Sequence, residues 1–169
     1  MHSYLQRLGD AIDKATRGMG EQDLTRHPEG KWSTAEILEH LSLTYGGTAR
    51  GFERLLAAPN VSTTEPTFKQ RLSTAVVVGV GYLPGGREAP KGTNPQGVSP
   101  VQVLADIKPK LAAMDEVISR CEARYGKAAR VLSHPFLGPL TAAQWRRFHW
   151  IHGKHHLKQV ARLRNAARS

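Results

Sequence analysis

The sequence predicts an all-α protein, a four-helix bundle, and three observations carry that prediction. Four segments open with the same helix-start pattern, each is followed by apolar residues at helical spacing, and a single long linker separates the second helix from the third. Ser3-x-x-Gln6, Ser33-x-x-Glu36, Ser99-x-x-Gln102 and Thr141-x-x-Gln144 all read as capping boxes. In such a box the hydroxyl accepts from a first-turn amide, and the Gln or Glu reaches back to the cap amide.

The first helix carries Leu5, Leu8, Ile12, Ala15 and Met19 and ends near Gly18 or Gly20. A turn-rich stretch around His27-Pro28-Glu29-Gly30 joins it to the second. The second carries Ile37, Leu38, Leu41, Tyr45, Phe52, Leu55 and Leu56 and stops before Pro59, with Gly46 and Gly47 weakening its middle. About forty residues follow, long enough for a crossover that would set the second and third helices parallel. Within them Phe68 to Val80 fits a short extra helix, and Leu83 to Gly97 reads as a structured loop. The third helix carries Leu104, Ile107, Leu111, Met114, Ile118, Cys121 and Tyr125 and ends at Gly126; Pro109 should kink it unless the helix proper begins later. The fourth carries Trp145, Phe148, His152, His156, Gln159 and Leu163. No domain boundary is needed, so residues 1–169 are expected to form one domain.

Composition removes several functional classes. The 169 residues are 40% hydrophobic and 22% charged, which is globular rather than disordered. One cysteine, Cys121, excludes a disulfide scaffold and a cysteine-rich zinc module; its place in an apolar stripe reads as packing. The longest apolar run, Thr74 to Leu83, is too short to span a bilayer, and the N-terminal segment does not read as a signal peptide. A cytoplasmic protein with no membrane partner is the expectation.

Charge is distributed unevenly. Residues 1–122 hold 14 basic and 14 acidic side chains, whereas residues 123–169 hold ten basic and none acidic. The whole +10 therefore lies at the end of the chain, as do five of the eight histidines.

Those histidines carry the chemistry. His152 and His156 stand four apart in the stripe of the fourth helix, so both point off one face toward the interior. Two imidazoles at that spacing can share a transition metal, although the same pair also fits surface or satisfied core histidines. His40, on the second helix at the edge of its stripe, is the best third ligand. Three histidines and an open position is the donor set of catalytic zinc and related metals. Glu36, one turn before His40, is either a partner for an imidazole N–H or the capping residue alone, and His149 could flank the site. His155 is expected to be exposed, and His134 and His27, each before a proline, read as structural.

Lys31-Trp-Ser-Thr-Ala-Glu-Ile-Leu-Glu-His40-Leu resembles the second-helix signature of the DinB/YfiT-like superfamily. His134-Pro-Phe-Leu-Gly-Pro-Leu-Thr-Ala-Ala-Gln-Trp145, followed by His152-Gly-Lys-His155-His156-Leu-Lys-Gln159, resembles its last-helix signature in a largely uncharacterised branch. The resemblance implies a DinB-like bundle with a long crossover between helices two and three. It also implies a divalent metal held by His40, His152 and His156, with zinc or nickel foremost and iron a further candidate. Characterised members include thiol-dependent S-transferases and isomerases. The implied function is therefore a metal-dependent transferase or hydrolase acting on a small molecule, with a low-molecular-weight thiol as cosubstrate. No residue names the substrate.

Two other classes remain open. A non-enzymatic metal-binding module or homodimer would use the same bundle. Nucleic-acid binding is the lesser alternative, resting on Arg146, Arg147, Lys154, Lys158, Arg162, Arg164 and Arg168; the same residues also suit the solvent face of the fourth helix.

Overall fold

The computed structural model describes residues 1–27, 29–84, 89–90 and 92–166. It is predominantly helical. In chain order it contains α1 (Ser3–Thr16), α2 (Glu21–Thr25), α3 (Thr34–Ala57), α4 (Phe68–Thr74) running into a π-helical segment (Ala75–Val80), and α5 (Pro100–Tyr125). A hairpin of β1 (Leu132–His134) and β2 (Gly138–Leu140) follows, and then α6 (Ala142–Ala166). Pro28, residues 85–88, Lys91 and residues 167–169 lie outside the described residues, so part of the predicted 83–97 loop, Pro28 of the first turn-rich stretch and Arg168 do too.

The capping grammar holds in detail at two of the four starts. Ser33 Oγ accepts from the Glu36 N–H and the Glu36 carboxylate from the Ser33 N–H, at 3.3 and 2.7 Å. Thr141 and Gln144 make the same exchange at 3.3 and 2.9 Å. At Ser99 only half forms, because the Gln102 side chain donates instead to Asp106 at 2.7 Å. At the N-terminus the cap is His2 rather than Ser3: the His2 imidazole accepts from the Tyr4 N–H, and Ser3 is already helical. A further box, Thr67 with Gln70, starts α4 inside the crossover. The predicted helix over Phe68 to Val80 is found over those residues, its second half as a π-helix. α5 continues through Pro109, which removes one backbone bond to Ala105 while the helix persists on both sides.

Side-chain pairs fix the directions of the long helices. The Glu39 carboxylate takes the amides of Gln96, Gly97 and Val98 just ahead of α5, at 2.7, 3.2 and 3.2 Å. At the other end Tyr125 and Arg124 donate to the carbonyls of Leu55 and Leu56, at 3.0 and 2.7 Å. α3 and α5 therefore run parallel, as the crossover requires. α1 and α6 are parallel to each other: Arg7 lies over Trp150, and Arg164 donates to the carbonyls of Ala15 and Arg17. α3 and α6 are antiparallel, since His40 meets His156, Tyr45 meets His149 and Phe52 meets Trp145. One apolar cluster joins all four: Leu5, Leu8 and Ile12; Leu38, Leu41 and Phe52; Ile107, Leu111, Met114 and Ile118; Phe148 and Leu157. Among the described residues no helix is long and apolar enough to cross a membrane.

The sequence reading lacked the hairpin and the one-turn helix α2, which lies in the stretch expected only to join the first two helices. Two three-residue strands are too short to show alternation, and Pro135, Gly138 and Pro139 suggest only a loop. Gly138 makes the turn possible with φ +72°, a conformation strained for residues bearing a Cβ.

Candidate metal centre

The capped start of α3 and the middle of α6 bring three imidazoles together. His40 is buried; His152 and His156 are partly exposed toward a cavity. His152 Nε2 lies 3.3 Å from His40 Nε2 and 3.0 Å from His156 Nε2. Each residue offers one ligand atom, and these three atoms lie within 4.8 Å of one another, so together they could hold a metal ion. Nitrogens bonded tetrahedrally at about 2.05 Å to one ion stand about 3.3 Å apart, which matches both spacings.

The hydrogen bonds set the tautomers. His40 Nδ1–H donates to the Thr93 carbonyl at 2.8 Å, and His156 Nδ1–H donates to Gln159 Oε1 at 2.8 Å. Both partners are acceptors, so both Nε2 atoms carry lone pairs and face His152. A proton on His152 Nε2 can serve only one of these lone pairs, whereas a cation would take all three nitrogens as ligands. Burial keeps the rings neutral. It lowers His40 despite the Thr93 contact, and pushes His156 down to about 4 despite Gln159. His152 lies well below its ordinary value, first through burial and then through the neighbouring imidazoles. A metal would therefore displace few protons from these ligands near pH 7.

Above the three nitrogens opens a cavity of about 530 Å³. Its walls come from Trp32 beside the α3 cap, from Leu72, Val76 and Val77 of α4 and the π-helical segment, from the hairpin, and from Phe148 and Gln159 of α6. Trp32 packs against His40 at 5.2 Å between ring centroids, and Phe148 stacks on His152 at 5.5 Å.

Residues 4–163 match the family model described as a protein of unknown function, DUF1569. The chain belongs to that family. No curated protein and no solved structure matches it. Membership in DUF1569 supplies no activity, so the chemistry rests on the site itself.

The other sequence candidates fall elsewhere. Glu36 is engaged at the α3 cap and lies 3.3 Å from His27 Nε2; it bonds none of the three clustered imidazoles. His149 is fully buried between Tyr45, Trp145 and Phe148, and among the described residues neither ring nitrogen has a hydrogen-bond partner. The positions next to the ligand set are instead Thr93 and Gln159. Gln159 has a readable signal, three residues after His156 on the same face. Thr93 has none, because a carbonyl supplied from the crossover leaves no mark in composition. His155 is partly buried and lines the cavity rather than standing free in solvent. The basic end of the chain is partly spent within the fold. Arg146 is buried against Asp115, Ser119 and Glu122, at 2.8, 2.7 and 2.7 Å, and Arg147 donates to the Gly79 carbonyl.

Proposed function

We propose that this chain is a single-domain, DinB-like four-helix bundle that binds a divalent transition metal through His40, His152 and His156. We further propose that it uses that centre as a metal-dependent transferase or hydrolase on a small molecule. The supporting observation is the convergence of three neutral imidazoles, two held in the same tautomer, at the floor of a cavity of ligand size. Zinc and nickel suit an all-imidazole set, with iron the next choice.

When bound, the ion would supply Lewis acidity and lower the pKa of whatever group occupies its remaining position. The protein's own part is to orient and enclose. Thr93 and Gln159 fix two rings, and Phe148 and Trp32 pack against the rings of His152 and His40. Three neutral ligands leave a dication uncompensated, and among the described residues no carboxylate lines the cavity. An anionic donor such as a thiolate is therefore favoured there.

Metal analysis of untagged protein tests the assignment. Wild type should carry about one divalent ion per chain, and His40→Ala and His152→Ala should each lose it while keeping their helical circular dichroism. Stoichiometric metal in both variants would sink the assignment. A panel of thiols and electrophiles then separates enzyme from module: turnover that disappears with the metal supports the enzyme, and an inert loaded protein supports the module.

A further inference from the structure

The cavity presents a polar group that the metal reading leaves unused. His134 ends β1, and its ring lines the cavity. Its Nδ1 accepts the N–H groups of both Phe136 and Leu137 at 3.2 Å. A nitrogen that accepts two amides carries its lone pair, so the ring proton resides on Nε2. Burial, which pushes the ring down to about 4, leaves it neutral and a single donor at physiological pH.

Its position relative to the metal centre is defined by rings. His134 meets Phe148 edge-on at 4.5 Å, and Phe148 stacks on His152 at 5.5 Å with an 8° interplanar angle. The three rings form one wall, with His134 at most about 10 Å from His152. The surroundings are mostly apolar, with the uncharged Thr44, Ser73 and Gln159 among them. Trp32, Val76, Leu83 and Leu137 line the cavity, and Leu72 and Phe136, 59% and 50% exposed, carry apolar surface to its rim. No Lys, Arg, Asp or Glu lines it among the described residues.

We infer that His134 is a ligand-recognition residue and that the cavity takes a compact apolar molecule, aromatic or aliphatic, with two polar features. One is an anionic donor atom for the three-histidine centre; the other is a neutral hydrogen-bond acceptor for the His134 Nε2–H. The inference rests on the metal reading above. An apolar wall favours an apolar body, and a fixed N–H within it discriminates against a ligand that would leave it unpaired.

The experiment uses cobalt-loaded protein, whose visible spectrum reports both metal binding and a new ligand. The probes are azide, benzenethiolate, its meta- and para-acetyl derivatives, and thiomalate. His134→Asn is the test variant, because an Asn carbonyl can accept the same two amides while the Nε2–H is lost. Azide should bind wild type and variant alike. Benzenethiolate should bind at least about tenfold more tightly than thiomalate, whose carboxylates meet no Lys or Arg among the described lining residues. One acetyl isomer should bind about three- to tenfold more tightly than its parent in wild type, with that ratio falling to about one in His134→Asn. In zinc-loaded wild type the same isomer, and not the parent, should shift the His134 Nε2–H resonance downfield, a reading that needs no variant. An unchanged ratio with no resonance shift, or thiomalate binding as tightly as benzenethiolate, overturns this inference alone. Absence of any cobalt spectrum overturns the metal reading together with it.

Discussion

His149 shows what burial does to a single histidine. Its ring is 0% exposed, its nitrogens find no partner among the described residues, and burial with some contribution from His134 pushes it down to about 3. In the unfolded chain the same ring titrates near 6.5. Between those values the unfolded state holds a proton that the folded state lacks, so stability falls as pH drops below about 6.5 and levels off only near the folded value. The expected cost of moving from pH 8 to pH 5 is about 2 kcal/mol from this residue. His149→Leu should remove that share. Urea unfolding at both pH values would show the variant gaining on wild type by that amount at pH 5; an equal difference at both would mean that the ring is not desolvated. The local part of the candidate centre was legible at this scale. The i, i+4 pair follows from helical geometry and His40 from its place at the edge of the second stripe, with the resemblance adding to that reading, whereas Thr93 came from a loop that no spacing rule connects to α3.

At the scale of elements, close packing of α1 against α6 depends on one missing side chain. A Cβ at Gly153 would overlap Leu8, whose side chain is fully buried. Alanine is the better helix former by about 1 kcal/mol, and overpacking costs about 1–3 kcal/mol. Gly153→Ala should therefore lower the melting temperature, and in a Leu8→Ala background the same change should be neutral or stabilising. Equal effects in both backgrounds would show that the two residues do not compete for space. The caps made the starts of the long helices readable to within a residue, because each is a local device, whereas α1 stops at Thr16 and leaves Met19 of its expected stripe outside the helix. The hairpin was not readable, since its strands are held from outside. Trp145 Nε1 donates to the Leu132 carbonyl and Thr74 Oγ1 to the Leu137 carbonyl. The π-helical register of Ala75–Val80 also lacks a sequence signal, as its apolar residues suit an ordinary α-helix equally well.

For the whole molecule, the excess positive charge has been divided among several tasks. Arg146 ties α6 to α5, Arg147 holds the π-helical segment and Arg164 anchors the end of α1. The parallel pairing described above also has a consequence for biosynthesis. α1 packs chiefly against α6 and α5, and α3 chiefly against α5. Both early helices thus find their main partners among residues made after the crossover, and the first half of the chain leaves the ribosome with two apolar stripes and little to bury them against. A chain ending at residue 98 should be largely unstructured by circular dichroism and prone to aggregate, whereas the full chain should gain its helices in one cooperative step. A stable, helical 1–98 fragment would show that the early helices can satisfy each other. Otherwise, until α5 emerges, a nascent chain must depend on chaperones or on speed of synthesis to keep its future core out of other hands.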